Sequence, residues 1–156
     1  MRRYHCRAVK RGVSTPLVVA DLPFGSYITP DEAARNAVSL LKRAGAEAVK
    51  MEGGRRVLPQ VEATVRAGIA TMGHVGLTPQ TVSALGGFRY QGKTAAAAAE
   101  LLDDALALQD AGCFAVVLEC VPGAVADVIT AALDVPTIGI GAGVGTSGQV
   151  QVRCRH

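Results

Sequence analysis

Four short apolar runs in this chain each stop on a residue that can titrate, and a loop of small and polar residues follows each one. LVVAD ends on Asp21, AVKME on Glu52, ATMGH on His74 and AVVLE on Glu119. Between the runs lie segments of helical character. Three of these close on the same dipeptide, at Ala44-Gly45, Ala67-Gly68 and Ala111-Gly112. Glu52 and Glu119 stand seven residues past their Gly, and His74 stands six past its own. Alternating strands and helices build a parallel sheet, whose strands, covered on both faces, read as unbroken apolar runs. Equivalent positions in successive βα units face the same end of a barrel, and that end carries the active site of barrel enzymes.

The expected strands are 16–21, 47–52, 69–74, 114–119 and 136–140, with a further short strand at Gln149–Val152. Helices are expected near 30–44, 55–67, 95–111 and 122–133. A short one should run from Thr78-Pro79 to about 84, and a basic amphipathic one over 1–12. The helix near 30–44 has the clearest start: Thr29 as N-cap, Pro30 at the first position and Glu32 completing a capping box. Gly45 ends it. Residues 85–93, LGGFRYQGK, read as a polar, Gly-rich loop. Five strand units are present, whereas a closed eight-stranded barrel takes roughly 250 residues. The reading is therefore an α/β chain of the (β/α)8 TIM-barrel type, incomplete, forming one partial barrel domain over 1–156. The structural alternative is an open doubly wound sheet. Against it, no G-x-G-x-x-G turn follows the first strand.

With 49% hydrophobic residues, 4% aromatic and no Trp, the core must be built from Ala, Val, Leu and Ile. The net charge of +3 belongs to the ends. Residues 1–12 carry five basic side chains and no acid, and Arg153 and Arg155 add two more, leaving nine basic against thirteen acidic residues. No aromatic or Gly-rich nucleic-acid motif accompanies the basic segment, so no nucleic-acid partner is expected. Cys6, Cys113, Cys120 and Cys154 form no C-x-x-C pair, which argues against a zinc site. Cys113 and Cys120 flank an apolar strand and read as small core residues of a protein from a reducing, cytoplasmic setting. No apolar run approaches the length of a membrane span, and neither a signal-peptide core nor a transit peptide is evident ahead of the first strand.

Each strand-end residue has a bland reading and a chemical one. Asp21 could cap a loop. A carboxylate on an apolar run is costly unless paired or metal-bound, which points to a metal or catalytic role. Lys50 and Glu52, two residues apart on one strand, point to the same face. They could form an internal salt bridge, or serve as a cation for an anionic substrate beside a carboxylate for a metal. Asp21 and Glu52 together suit Mg²⁺, which keeps waters and takes substrate oxygens. His74, between Gly73 and Gly76, is either a satisfied core histidine or a site residue. Glu119 could be a general base, a proton relay or a helix N-cap before Pro122. GIGAG (139–143) could cradle phosphate or make a tight turn.

The stretches VVADLPFGSY (18–27), AGAEAVKMEGG (44–54), MGHVGLTPQTVSALGGFRYQGK (72–93), AGCFAVVLECVP (111–122) and VPTIGIGAG (135–143) resemble the ketopantoate hydroxymethyltransferase family, in its order and at its spacing, over about residues 4–152. The resemblance implies a β/α barrel of the phosphoenolpyruvate/pyruvate type, homodecameric in bacteria. It implies a Mg²⁺-dependent reaction in which 3-methyl-2-oxobutanoate loses a proton to give an enolate and takes a one-carbon unit from 5,10-methylenetetrahydrofolate. The product is 2-dehydropantoate, in pantothenate biosynthesis. By the same resemblance Asp21 and Glu52 are metal ligands, Lys50 holds the substrate carboxylate, His74 lies near the substrate and Glu119 accepts the proton.

The chain departs from the family pattern at both ends. Two further strands, the second closing on a VGDS-type motif, are expected ahead of residue 1. The expected DGQVLV is here SGQVQV, followed by a basic tail, Arg153-Cys154-Arg155-His156, that reads as foreign to the family. The expectation is a fragment with weak or absent activity alone. The competing readings are another Mg²⁺-dependent 2-oxo-acid C–C lyase on the same barrel type, and a non-catalytic remnant.

Overall fold

The apolar runs form a six-stranded sheet in the computed structural model, which describes residues 2–152. The strands are β1 (Val19–Asp21), β2 (Ala48–Lys50), β3 (Ala70–Gly76), β4 (Ala115–Glu119), β5 (Thr137–Ile140) and β6 (Gly148–Gln149). They lie side by side in chain order, and every neighbouring pair is parallel. Five α-helices accompany them: α1 (Arg2–Gly12), α2 (Pro30–Ala44), α3 (Leu58–Arg66), α4 (Ala95–Asp110) and α5 (Gly123–Ala132). Each of these helices packs against the next. A doubly wound sheet reverses its strand order partway. No reversal occurs here, so right-handed crossovers keep all the helices on one face and the sheet curls as part of a barrel.

α2 begins as its sequence requires. The Thr29 hydroxyl accepts from the Glu32 backbone N–H, and the Glu32 carboxylate accepts from the Thr29 N–H. Gly45, at φ 77°, lets the chain turn left-handed and closes the helix. The second Thr-Pro start behaves differently. The Thr78 hydroxyl bonds Thr81 Oγ1 at 2.7 Å and caps no backbone N–H, so only a 3-10 turn forms at Pro79–Thr81, in place of the helix expected to about 84. A 3-10 turn, Arg55–Val57, likewise precedes α3, so the helix expected near 55–67 is confined to Leu58–Arg66.

The tail strand falls earlier than Gln149–Val152. Thr137 N–H donates to Ser147 Oγ and Ser147 N–H to Thr137 Oγ1, which starts the pairing at Gly148–Gln149; Val150 N–H still reaches Gly139 O at 2.8 Å, and the strand goes no further.

The core is aliphatic. Leu22, Met51, Leu77, Leu108, Leu118 and Ile129 are its largest fully enclosed apolar side chains. Cys6 and Cys113 are buried as well, while Cys120 is only half-buried, a correction to its reading as a core residue. Cys120 sits at φ 49° just past β4, where the chain must turn sharply, so its side chain stays near the surface. Burial pushes the Cys113 thiol up to about 12. This thiol is expected to resist alkylation by iodoacetamide at pH 8 in the folded chain and to react on denaturation. Modification before unfolding, located by mass spectrometry, would contradict its enclosure. The folded thiol holds its proton more tightly than the unfolded one, so this group costs the fold nothing at neutral pH and erodes stability as alkaline pH rises towards 12. No helix among the described residues is long and apolar enough to cross a membrane.

Candidate active site

β1 to β4 and the loop after β2 bring Asp21, Lys50, Glu52, His74 and Glu119 to a single cavity of about 470 Å³, lined also by Gln80, Val117 and Ile140. All five residues singled out from the sequence are therefore brought together.

The register explains how. Asp21 pairs directly with Lys50. Lys50 pairs with Met72, and His74 lies two residues further on; His74 pairs with Val117, and Glu119 lies two residues further again. The site thus climbs along successive strands, the stagger that tilted barrel strands require if side chains are to meet at one height.

The result is a line of polar contacts across four strands. Lys50 Nζ is 3.0 Å from Asp21 Oδ1 and 3.0 Å from His74 Nδ1. His74 Nε2 is 3.2 Å from Glu119 Oε2. An ammonium can only donate, so Nδ1 of His74 accepts and the ring proton sits on Nε2, facing Glu119. The Glu119 oxygen lies off the line of a well-formed hydrogen bond, so the two groups touch without being tightly tied. His74 is 2% exposed, and the side chains of Lys50 and Glu119 are 15% and 17% exposed. At that depth a charge interacts more strongly than in water.

Asp21 is ion-paired across the strands with Lys50. Glu52 lies just past β2 and accepts from the Gln80 backbone N–H at 2.9 Å. Its loop is held on both sides: Gly53 N–H donates to His74 O at 3.0 Å, and Arg55 pairs with Asp104 of α4 at 2.8 Å. Glu119 does not cap α5, whose N-cap is Pro122 without a side-chain bond. GIGAG finishes β5 and makes a tight turn, with Gly143 against Gly123 at the start of α5.

Among the described residues, no three His, Cys, Asp or Glu side chains cluster as a closed metal site. The donors offered are two carboxylates on neighbouring strand ends, opening on one cavity. This fits Mg²⁺, which is held by one or two protein carboxylates and completes its shell with water and substrate oxygens. It does not fit a metal that needs an all-protein cage.

Sequence reasoning missed Gln80 and Tyr27. Tyr27 Oη donates to Gln80 Oε1 at 3.0 Å, and Gln80 Nε2 donates to Leu22 O at 2.9 Å. Neither residue ends a strand, so the pattern that found the others could not find them. The one available signal was the position of Gln80 right after a Thr-Pro start, where backbone N–H groups lack helical partners.

Comparison with known proteins places this arrangement. The family model for ketopantoate hydroxymethyltransferase matches residues 1–154, which takes the match into the first two residues, Arg153 and Cys154, of the tail that by sequence reads as foreign. The 3-methyl-2-oxobutanoate hydroxymethyltransferase of Heliobacterium modesticaldum is 59% identical over 150 residues, covering 96% of this chain and 54% of that protein. The mitochondrial 3-methyl-2-oxobutanoate hydroxymethyltransferase 1 of Oryza sativa is 58% identical, covering 95% of this chain and 41% of that protein. The chain spans about half the length of these curated relatives. Among solved structures, a putative phosphonomutase from Burkholderia cenocepacia superposes with a TM-score of 0.66 at 18% identity, over 88% of this chain and 60% of that one. A phosphonopyruvate hydrolase gives 0.58 at 18% identity, over 88% and 49%. Those two show the fold alone. The curled parallel sheet, the shared cavity at its strand ends and a family match over nearly every residue lead to one statement: this chain belongs to the ketopantoate hydroxymethyltransferase family.

Proposed function

We propose that this chain carries the 2-oxo-acid binding and proton-abstracting part of a hydroxymethyltransferase site. The reaction would be transfer of a hydroxymethyl group from 5,10-methylenetetrahydrofolate to 3-methyl-2-oxobutanoate, giving 2-dehydropantoate for pantothenate biosynthesis. The observation that carries this reading is the line Asp21–Lys50–His74–Glu119 along one cavity wall, whose last step is a close approach and not a hydrogen bond. It sets a cation, a buried imidazole and a carboxylate within one small-molecule length, which suits an anionic substrate with an acidic C–H bond.

Asp21 and Glu52 are the residues that would hold Mg²⁺. Bound there, the ion would polarise the substrate's keto group as a Lewis acid. Lys50 uses two of its three N–H donors on Asp21 and His74 and turns the third to the substrate carboxylate. Glu119 accepts the C3 proton, and the Nε2–H of His74 beside it steadies the carboxylate before the transfer. Val117 and Ile140 give the substrate's branched carbon an apolar wall. Lys50 and Glu119 act at positions drier than the surface, where preorganised electrostatics count most.

The half-reaction can be followed without folate. In D2O the C3 proton of 3-methyl-2-oxobutanoate is expected to exchange faster with this chain and Mg²⁺ than with Mg²⁺ alone, seen as collapse of the methyl doublet in the proton NMR spectrum. Asp21→Ala is expected to cut that rate by about a hundredfold. Exchange no faster than the metal control, or unchanged by Asp21→Ala, would remove the reading.

A further inference from the structure

We propose that Gln80 is the positioning residue of the two-carboxylate side of the site, with Tyr27 as its anchor; the inference rests on the functional reading above. Three separate loops meet on this one residue. The Gln80 backbone N–H donates to Glu52 Oε2 at 2.9 Å. Its side-chain Nε2 donates to the carbonyl of Leu22, the residue directly after Asp21, at 2.9 Å. Its Oε1 accepts from the Tyr27 hydroxyl at 3.0 Å, and that hydroxyl also lies 3.4 Å from the Glu52 carbonyl.

The amide can sit only one way round. A backbone carbonyl only accepts, so Nε2 must face Leu22, which leaves Oε1 to take the Tyr27 proton. Leu22 is fully buried and its own N–H is bonded to Lys50 O at 3.0 Å. The two peptide groups flanking Leu22 are thereby held, the one after Asp21 by β2 and the next by Gln80. Glu52 is fixed from the same residue, through a donor that no substitution except Pro can remove. Gln80 therefore sets the separation of Asp21 and Glu52 without contributing a charge, and the dependence on its side chain falls on Asp21.

No other residue type of similar size serves. Glutamate offers only acceptors to the Leu22 carbonyl and adds a fourth carboxylate to a cavity already lined by Asp21, Glu52 and Glu119. Leucine keeps the volume and loses both bonds.

The test uses Mn²⁺ as the probe, its binding read from water-proton relaxation with no turnover involved. Wild type, Asp21→Ala, Gln80→Leu and Tyr27→Phe are compared, and thermal unfolding of each is measured beside it. Gln80→Leu is expected to bind Mn²⁺ about tenfold more weakly, the scale of one lost hydrogen bond, and Tyr27→Phe about threefold. Both are expected to melt within a few degrees of wild type. A merely structural role would lower the melting temperature and leave the affinity of the folded protein unmoved. Gln80→Leu binding within twofold of wild type, while Asp21→Ala has lost the ion, overturns this inference and leaves the functional reading standing. Asp21→Ala binding as tightly as wild type removes both. If Gln80→Leu does not fold, Tyr27→Phe decides, with unchanged affinity overturning the proposal and weakened affinity supporting it.

Discussion

Glu119→Gln is expected to slow exchange of the substrate's C3 proton by about a thousandfold while leaving the affinity for 3-methyl-2-oxobutanoate within a few-fold of wild type. A positioned general base contributes on the order of 10²–10⁴ in rate. The amide fills the same space and offers an oxygen to the Nε2–H of His74, 3.2 Å away in the native site, but it cannot carry away a proton. The loss should fall on the chemical step and spare binding, because Lys50, Asp21 and Glu52 are untouched. Exchange followed by NMR and binding followed by calorimetry on the same preparation would separate the two. A rate within about fivefold of wild type would show that the proton goes to another group, and the line of contacts across the four strands would need a different purpose.

Gly76→Ala is expected to lower stability by about 2–5 kcal/mol and the melting temperature by roughly 10 °C. Gly76 ends β3 at φ 90°, a conformation that costs an alanine about 1–2 kcal/mol. A β-carbon there would also run into the Glu119 carbonyl oxygen and come within 2.9 Å of a Val121 methyl. Both obstacles are embedded: Glu119 O accepts from Leu77 N–H at 2.8 Å, and Val121 is fully buried. Relief requires moving the end of β4, which carries the proposed base. The stability loss should therefore come with a loss of proton exchange in whatever fraction remains folded. Gly12→Ala makes the control, since a β-carbon on Gly12 meets nothing within 4 Å. A Gly76→Ala chain that melts like the control would mean that the two strand ends are less closely packed than their hydrogen bonding indicates.

The two substitutions show how differently the site was written into the sequence. Glu119 could be picked out because it closes an apolar run at the same distance from a helix-ending glycine as Glu52 does. Gly76 could be seen only as one glycine beside a histidine. Its importance comes from Glu119, forty-three positions later, lying directly across the sheet. Gln80 was hidden for the same reason: it acts through Leu22 and Tyr27, more than fifty residues away in the chain.

Lys50 and Glu52 make the point within one strand end. Their spacing tells which way both side chains face, because strand side chains alternate. It does not tell what they meet. Lys50 reaches the neighbouring strands on either side, to Asp21 and His74, while Glu52 turns to a backbone N–H of the next loop.

The two Thr-Pro starts divide along the same line. Thr29 caps a helix with a glutamate three residues on, a contact that is complete within the local sequence. Thr78 has Thr81 at that position, and its hydroxyl is taken up there, so the segment stays a turn and leaves Gln80 N–H for Glu52.

By itself the sequence determined the alternation of strands and helices and the aliphatic core, and it singled out Asp21 and Glu119 as strand ends, since these follow from local periodicity, capping and the cost of burying polar groups; β2 instead closes on Lys50, ahead of Glu52, and β3 on Gly76, beyond His74. Only the tertiary structure decided the strand order without reversal, the two-residue climb from Lys50 to His74 to Glu119, and the partners each charge finds. Those depend on interstrand register and on which way each crossover steps, and neither is encoded in any short stretch of chain.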